Sequence, residues 1–114
     1  MSFSYQIKTE EELVIVTLSG NLINKQQAGD LMNELDFYLN EGLNKVVINL
    51  DDMMYMNSTG LSVLINIFTK VRNGDGEVVL VNIPEKINKL LLVTKLNSIF
   101  NVENTLEDAK KILI

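Results

Sequence analysis

Cysteine and histidine are both absent from the 114 residues, and proline occurs once. Without cysteine there is no disulfide framework, no thiolate zinc site and no thiol nucleophile. Without histidine the chain lacks the usual general base, the commonest metal ligand and an imidazole pH switch. Basic residues are also in deficit, 10 against 15 acidic ones, for a formal charge of -5. A nucleic-acid binder needs a basic face to displace counterions from phosphates, so direct nucleic-acid binding is not expected. No apolar run is long enough to span a membrane, and Met1-Ser2-Phe3-Ser4-Tyr5-Gln6 has neither the basic nor the apolar region of a signal peptide. A soluble cytoplasmic domain covering residues 1–114, without membrane insertion, is the expectation.

What is present is a globular composition, 46% hydrophobic and 22% charged, in a chain long enough to bury its own core. Phe3, Tyr5 and Ile7 alternate with polar residues as in a half-buried edge strand, and Leu13–Leu18 forms a more apolar partner. Gly20 closes this hairpin. From Asn24 to Asn40 the apolar spacing becomes three and four, with Asn24 and Gln27 placed for a capping box and Gly42 for the stop. Lys45–Leu50 reads as a central strand, the segment from near Ser58 to Asn73-Gly74 as a helix, and Val78–Val81 as another buried strand. Pro84–Val93 reads as a helix with proline in its first turn. A short strand at Ile99–Val102 and a last helix through Leu113, opened by an Asn104-Thr105-Leu106-Glu107 capping box, complete the chain. Such alternation predicts an α/β fold: a mostly parallel mixed sheet with an antiparallel N-terminal edge strand, packed against about four helices.

In such a sheet the turns at the C-terminal ends of strands carry most functional groups. Here that turn is Asn57-Ser58-Thr59-Gly60, between a strand expected to end near Leu50 and the following helix. Capping is the simplest reading, because these side chains accept hydrogen bonds from a first-turn amide. Gly60 would then allow close packing of helix on sheet. Yet one cap needs one side chain, and two adjacent hydroxyls are presented. A hydroxyl at a helix N-terminus is also a good phosphorylation target, since exposed amides and the dipole favour the added charge. Neither a nucleophile with its base nor a phosphate-binding P-loop is present, so no enzyme activity and no cofactor are expected. The Asp51-Asp52 pair has no third ligand and is read as solvated, with no metal site. Of Met54 and Met56, one is expected in the core and the other exposed.

The segments "VTLSGNL", "VVINLDDMMYMNSTGLSVLI" and "VVLVNIPEKINKLLLVTKLNSIFNVENTLEDA" resemble a STAS domain of the anti-sigma factor antagonist (anti-anti-sigma factor) family. The resemblance covers nearly the whole chain, and its most specific part is Asn57-Ser58-Thr59-Gly60-Leu61, similar to the family's Asp-Ser-Ser/Thr-Gly-Leu motif. It implies a partner switch in transcription regulation. A serine-kinase anti-sigma factor phosphorylates the residue matching Ser58, the unphosphorylated antagonist binds that kinase and releases sigma factor, and a serine phosphatase resets the system. Ser58 is then the phosphorylated residue, with Asn57, Thr59 and Gly60 supporting the switch. Asn21, Asn24, Met56 and Leu61 are candidates for partner contact. The rival reading is a non-phosphorylated STAS subunit docked on a transporter ATPase or in a signalling complex.

Three positions depart from the family. Asn57 stands in place of aspartate, Ile23 in place of an aspartate after "G-x-L", and Lys95 in place of the glycine of "T-G-L". Lys95 would put a side chain on a turn that often needs a left-handed residue. Asparagine and aspartate cap helices about equally well, so the fold is expected not to register the exchange at position 57.

Overall fold

The structure, a computed structural model, describes residues 2–114, so Met1 of the N-terminal stretch discussed above lies outside the described residues. Strands β1 (Phe3–Glu10) and β2 (Leu13–Leu22) form the hairpin, followed by α1 (Gly29–Asn40) and β3 (Lys45–Met56). Then come α2 (Ser58–Asn73), β4 (Glu77–Val81), α3 (Glu85–Val93), β5 (Asn101–Glu103) and α4 (Leu106–Leu113). The sheet order is β1-β2-β3-β4-β5, with β1 antiparallel to β2 and every other neighbouring pair parallel. This is the mixed α/β sheet that the strand and helix alternation predicts.

The period of two along the strands sorts the core into two faces. Val14, Val16 and Leu18 of β2, with Val46, Ile48, Val78 and Leu80, join the buried stripes of α1, α2 and α3. Their sequence neighbours Leu13, Ile15, Val47, Val79 and Val81 point the other way, onto Ala109 and Leu113 of α4. Strands covered on both faces explain why β2 and β4 read as near-continuous apolar runs. At the β1–β2 tip Lys110 of α4 lies 2.9 Å from the Glu10 carboxylate, with Glu11 and Glu107 both at 3.8 Å. The Lys110 hydrogen bond holds the Glu10 carboxyl below the usual carboxylate range, and the same bond raises the Lys110 ammonium.

Several boundaries differ from the sequence reading. The Asn24 capping box is present, but it opens a 3₁₀ turn at Lys25–Ala28, and the α-helix proper begins at Gly29. Pro84 is the N-cap of α3 rather than a first-turn residue. The cap of α4 is Thr105, whose hydroxyl accepts from the Asp108 amide, one residue later than expected. The last strand begins at Asn101, and Phe100 instead turns inward onto Phe68, edge to face at 5.5 Å. Lys95 does adopt the left-handed conformation, at φ 62 and ψ 24.

The largest difference is the length of β3. Asp51 and Asp52 look like loop residues in sequence, yet the strand continues through them to Met56. It pairs with β4 only as far as Asn49 and Val81, and with β2 as far as Leu22 and Met56. Asn82 (φ 54) turns the chain away after β4, and its side-chain amide donates to Asn49 Oδ1 at 3.2 Å. Residues 50–56 therefore run on beyond their neighbour, leaving one edge open. An exposed edge tolerates carboxylates, which is why Asp51 and Asp52 sit there. That overhang positions the site.

Candidate functional site

Helix α2 starts directly at the end of the overhanging strand. Asn57, with extended backbone, is its N-cap: Oδ1 accepts from the Gly60 amide at 2.8 Å. The first intrahelical bond runs from the Leu61 amide to Asn57 O at 2.9 Å. Ser58 and Thr59 thus occupy the first turn, where amides precede the helical ladder and the dipole is positive. Ser58 is exposed and its hydroxyl makes no hydrogen bond to the described residues, whereas Thr59 is half-buried. Since Asn57 does the capping, the Ser58 hydroxyl is left over for other chemistry.

Gly60 is required by close approach rather than by backbone conformation. A Cβ at this position would overlap the carbonyl oxygen of Leu22 and lie 2.8 Å from Met56 Cγ. Helix α2 is thereby seated against the end of β2. The contact carries through to the next residue, because Asn57 Nδ2 donates to Ile23 O at 3.2 Å. Here the structure corrects the expectation that asparagine and aspartate are interchangeable at 57: the second contact needs an N–H donor that a carboxylate lacks.

The segment that receives this bond is itself tied down by amides. Gln27 Oε1 accepts from the Ile23 and Asn24 amides at 2.7 and 3.0 Å. Its Nε2 donates to Asn21 O at 3.0 Å, and Asn24 Oδ1 accepts from the Gln27 amide. Asn21 also stands opposite Tyr55 in the β2–β3 register. Asn21, Asn24, Asn57 and Ser58 are therefore brought to one sheet edge. Two other candidates are not available there. Met56 and Leu61 are only 5% and 2% exposed, because the register shift at the end of β3 and the core-facing stripe of α2 turn them inward.

The apolar surface at the site comes instead from Met54 and Tyr55, 61% and 54% exposed on the open edge of β3. The expectation for the methionines thus resolves as Met56 inside and Met54 outside. Across from this edge lies α3, and between them runs a groove of ≈ 460 Å³ whose lining includes Ser58, Asn57, Lys86, Lys89, Leu90 and Val93. The α3 residues were missed in the sequence reading. Their signal was Lys86, Lys89, Leu90 and Val93 at spacings of three, four and seven, a second helical face opposite the buried Leu91. Among the described residues no acidic cluster forms a metal site, and no helix is long and apolar enough to cross a membrane.

Similarity to known proteins agrees with this geometry. The family model of the STAS domain matches residues 4–109. A Thermotoga maritima relative named as an anti-sigma factor antagonist is 32% identical over 74 residues, spanning 65% of this chain and just under two thirds (66%) of that protein. The anti-sigma-B factor antagonist of Listeria monocytogenes is 29% identical over 105 residues, 91% of each chain. Among solved structures, an anti-sigma factor antagonist from Thermotoga maritima superposes with a TM-score of 0.82 at 26% identity, over 96% of this chain and 93% of that one. The chain belongs to the STAS domain family, with anti-sigma factor antagonists as its relatives.

Proposed function

We infer that this protein is an anti-sigma factor antagonist whose binding is switched by a phosphate on Ser58. In the unmodified state it binds a serine-kinase anti-sigma factor in the cytoplasm and so frees a sigma factor. The kinase transfers phosphate to Ser58, the complex separates, and a serine phosphatase restores the binding form. The chain itself catalyses nothing; it is substrate and ligand. The observation that carries this reading is an exposed hydroxyl with no partner among the described residues, at the first position of a helix already capped by another residue.

The physical logic has two parts. Within the monomer a phosphoserine at this position is well placed, because the first-turn amides and the dipole favour an anion. Within a close contact the same group is unfavourable, since about 1.5 to 2 added charges must be dehydrated. The modification therefore separates partners without unfolding either.

Incubation with the cognate kinase and ATP, followed by mass spectrometry, should place one phosphate on Ser58. Ser58→Ala should bind the kinase and resist release, while Ser58→Asp should bind more weakly. Phosphate confined to Thr59 moves the acceptor. Equal calorimetric affinities for unmodified, Ser58→Asp and phosphorylated protein refute the switch and leave a plain docking subunit.

A further inference from the structure

The groove beside Ser58 carries the opposite charge to the chain around it. The protein is acidic overall, at -5, yet the charged side chains lining this groove are two lysines, with no carboxylate among the lining residues. Lys86 and Lys89 stand three residues apart on α3, with Leu90 and Val93 continuing the same face. Lys86 has no ion-pair partner among the described residues. Lys89 contacts Glu85 at 3.6 Å, an exposed pair one turn apart that holds the ammonium weakly. Facing them is the open β3 edge with Met54 and Tyr55, and Val93, 81% exposed, also lines the groove. An apolar trough with a cationic rim is complementary to one kind of ligand.

We propose that this groove seats a segment of the anti-sigma factor that carries an apolar side chain flanked by carboxylates, and that phosphate on Ser58 releases it by neutralising Lys86 and Lys89. The proposal rests on the switch reading above and gives it a partner chemistry. The apolar side chain lies against Met54, Tyr55, Leu90 and Val93, with methionine supplying an adaptable surface and tyrosine a rigid one. The flanking carboxylates meet the two ammonium groups. Ser58 lines the same groove as both lysines, so a phosphoserine there acts on them through the space they share even without touching them. Its charge of about -1.5 to -2 cancels the two positive charges and leaves the incoming carboxylates facing an anion.

The test uses the full chain and its anti-sigma factor, with calorimetry at low and high salt. Lys86→Gln/Lys89→Gln should weaken binding of the unmodified chain about tenfold and flatten its salt dependence. Lys86→Glu/Lys89→Glu should weaken it further, by about a hundredfold. Both lysines are exposed, so melting temperatures should stay at the wild-type value, separating lost contact from lost fold. In the glutamine pair, phosphorylation of Ser58 should also reduce affinity by a smaller factor than in wild type. Unchanged or tighter binding by the glutamate pair overturns the groove assignment. If phosphorylation still releases the partner in that case, the switch stands and the groove alone falls. Failure of the unmodified wild-type chain to bind overturns both. Sedimentation of the chain alone supplies the remaining outcome: concentration-dependent dimers abolished by the glutamate pair would place a second copy in the groove, overturning the assignment to the anti-sigma factor.

Discussion

Exchanging Asn57 for aspartate changes only one atom's chemistry, and the structure gives that change a sign. Oδ1 caps the Gly60 amide at 2.8 Å in the natural chain, and the two residue types cap about equally well. A carboxylate there also gains from the helix dipole, by about 0.3–1 kcal/mol. Against this stands the Nδ2 bond to Ile23 O at 3.2 Å. Its loss costs about 0.5–1.5 kcal/mol, and the substituted oxygen faces a carbonyl oxygen that repels it. The balance for Asn57→Asp is a destabilisation of about 0.5–1 kcal/mol near neutral pH, or roughly 2–5 °C in melting temperature.

Chemical denaturation of both proteins at pH 7 measures the difference directly. A variant as stable as wild type at pH 7, or more stable, would show that the amide-to-carbonyl bond contributes nothing, and the argument for asparagine at this position would fail.

Gly60→Ala should destabilise the protein by about 1–2 kcal/mol in urea unfolding: overpacking against Leu22 O and Met56 outweighs the gain of about 1 kcal/mol in helix propensity, and a more stable variant would refute the close approach. Lys95→Gly should raise stability by about 0.5–1 kcal/mol, because the left-handed conformation costs a side chain more than glycine's extra freedom costs the unfolded chain. Acidification should loosen α4 at the hairpin tip. The Glu10 contribution is present above its unfolded carboxyl value and is lost as pH falls through the lowered folded one, so Leu113 methyl resonances should shift in that range in wild type and not in Glu10→Gln.

The architecture was legible in the sequence because period-two and period-3.6 patterns were each reinforced by caps, as at Asn24 with Gln27 and at Gly42. The end of β3 was not. Asp51-Asp52 carries a loop's composition, and what makes it strand is the pairing of Ser19 with Asp52 across a bulged stretch of β3, a contact between residues far apart in sequence. Misplacing that end also hid the groove, which exists because β4 stops at Val81 while β3 runs on to Met56. The Asn57–Gly60 turn was readable as the start of a helix, but the groove beside it was not. Met54 and Met56 would share a face in an unbroken strand; the register shift at Met53–Tyr55 sends Met54 outward and Met56 inward, and no local pattern announces it.

The division of labour at residues 57–60 would let the proposed phosphate on Ser58 act without disturbing the fold beneath it. Asn57 caps the helix and ties it to Ile23, Gly60 lets it approach Leu22, and both act on the core side of the turn. Ser58 takes part in neither task through its side chain. A charge added there meets amides within the monomer and the Lys86–Lys89 rim across the groove, all of which favour an anion. The departure from the family pattern at Asn57 points in the same direction, because it removes a carboxylate from the residue next to Ser58 that would repel a phosphate there. In this chain the phosphorylated form should therefore be at least as stable as the unmodified one. The cost of the phosphate falls on whatever must pack against it.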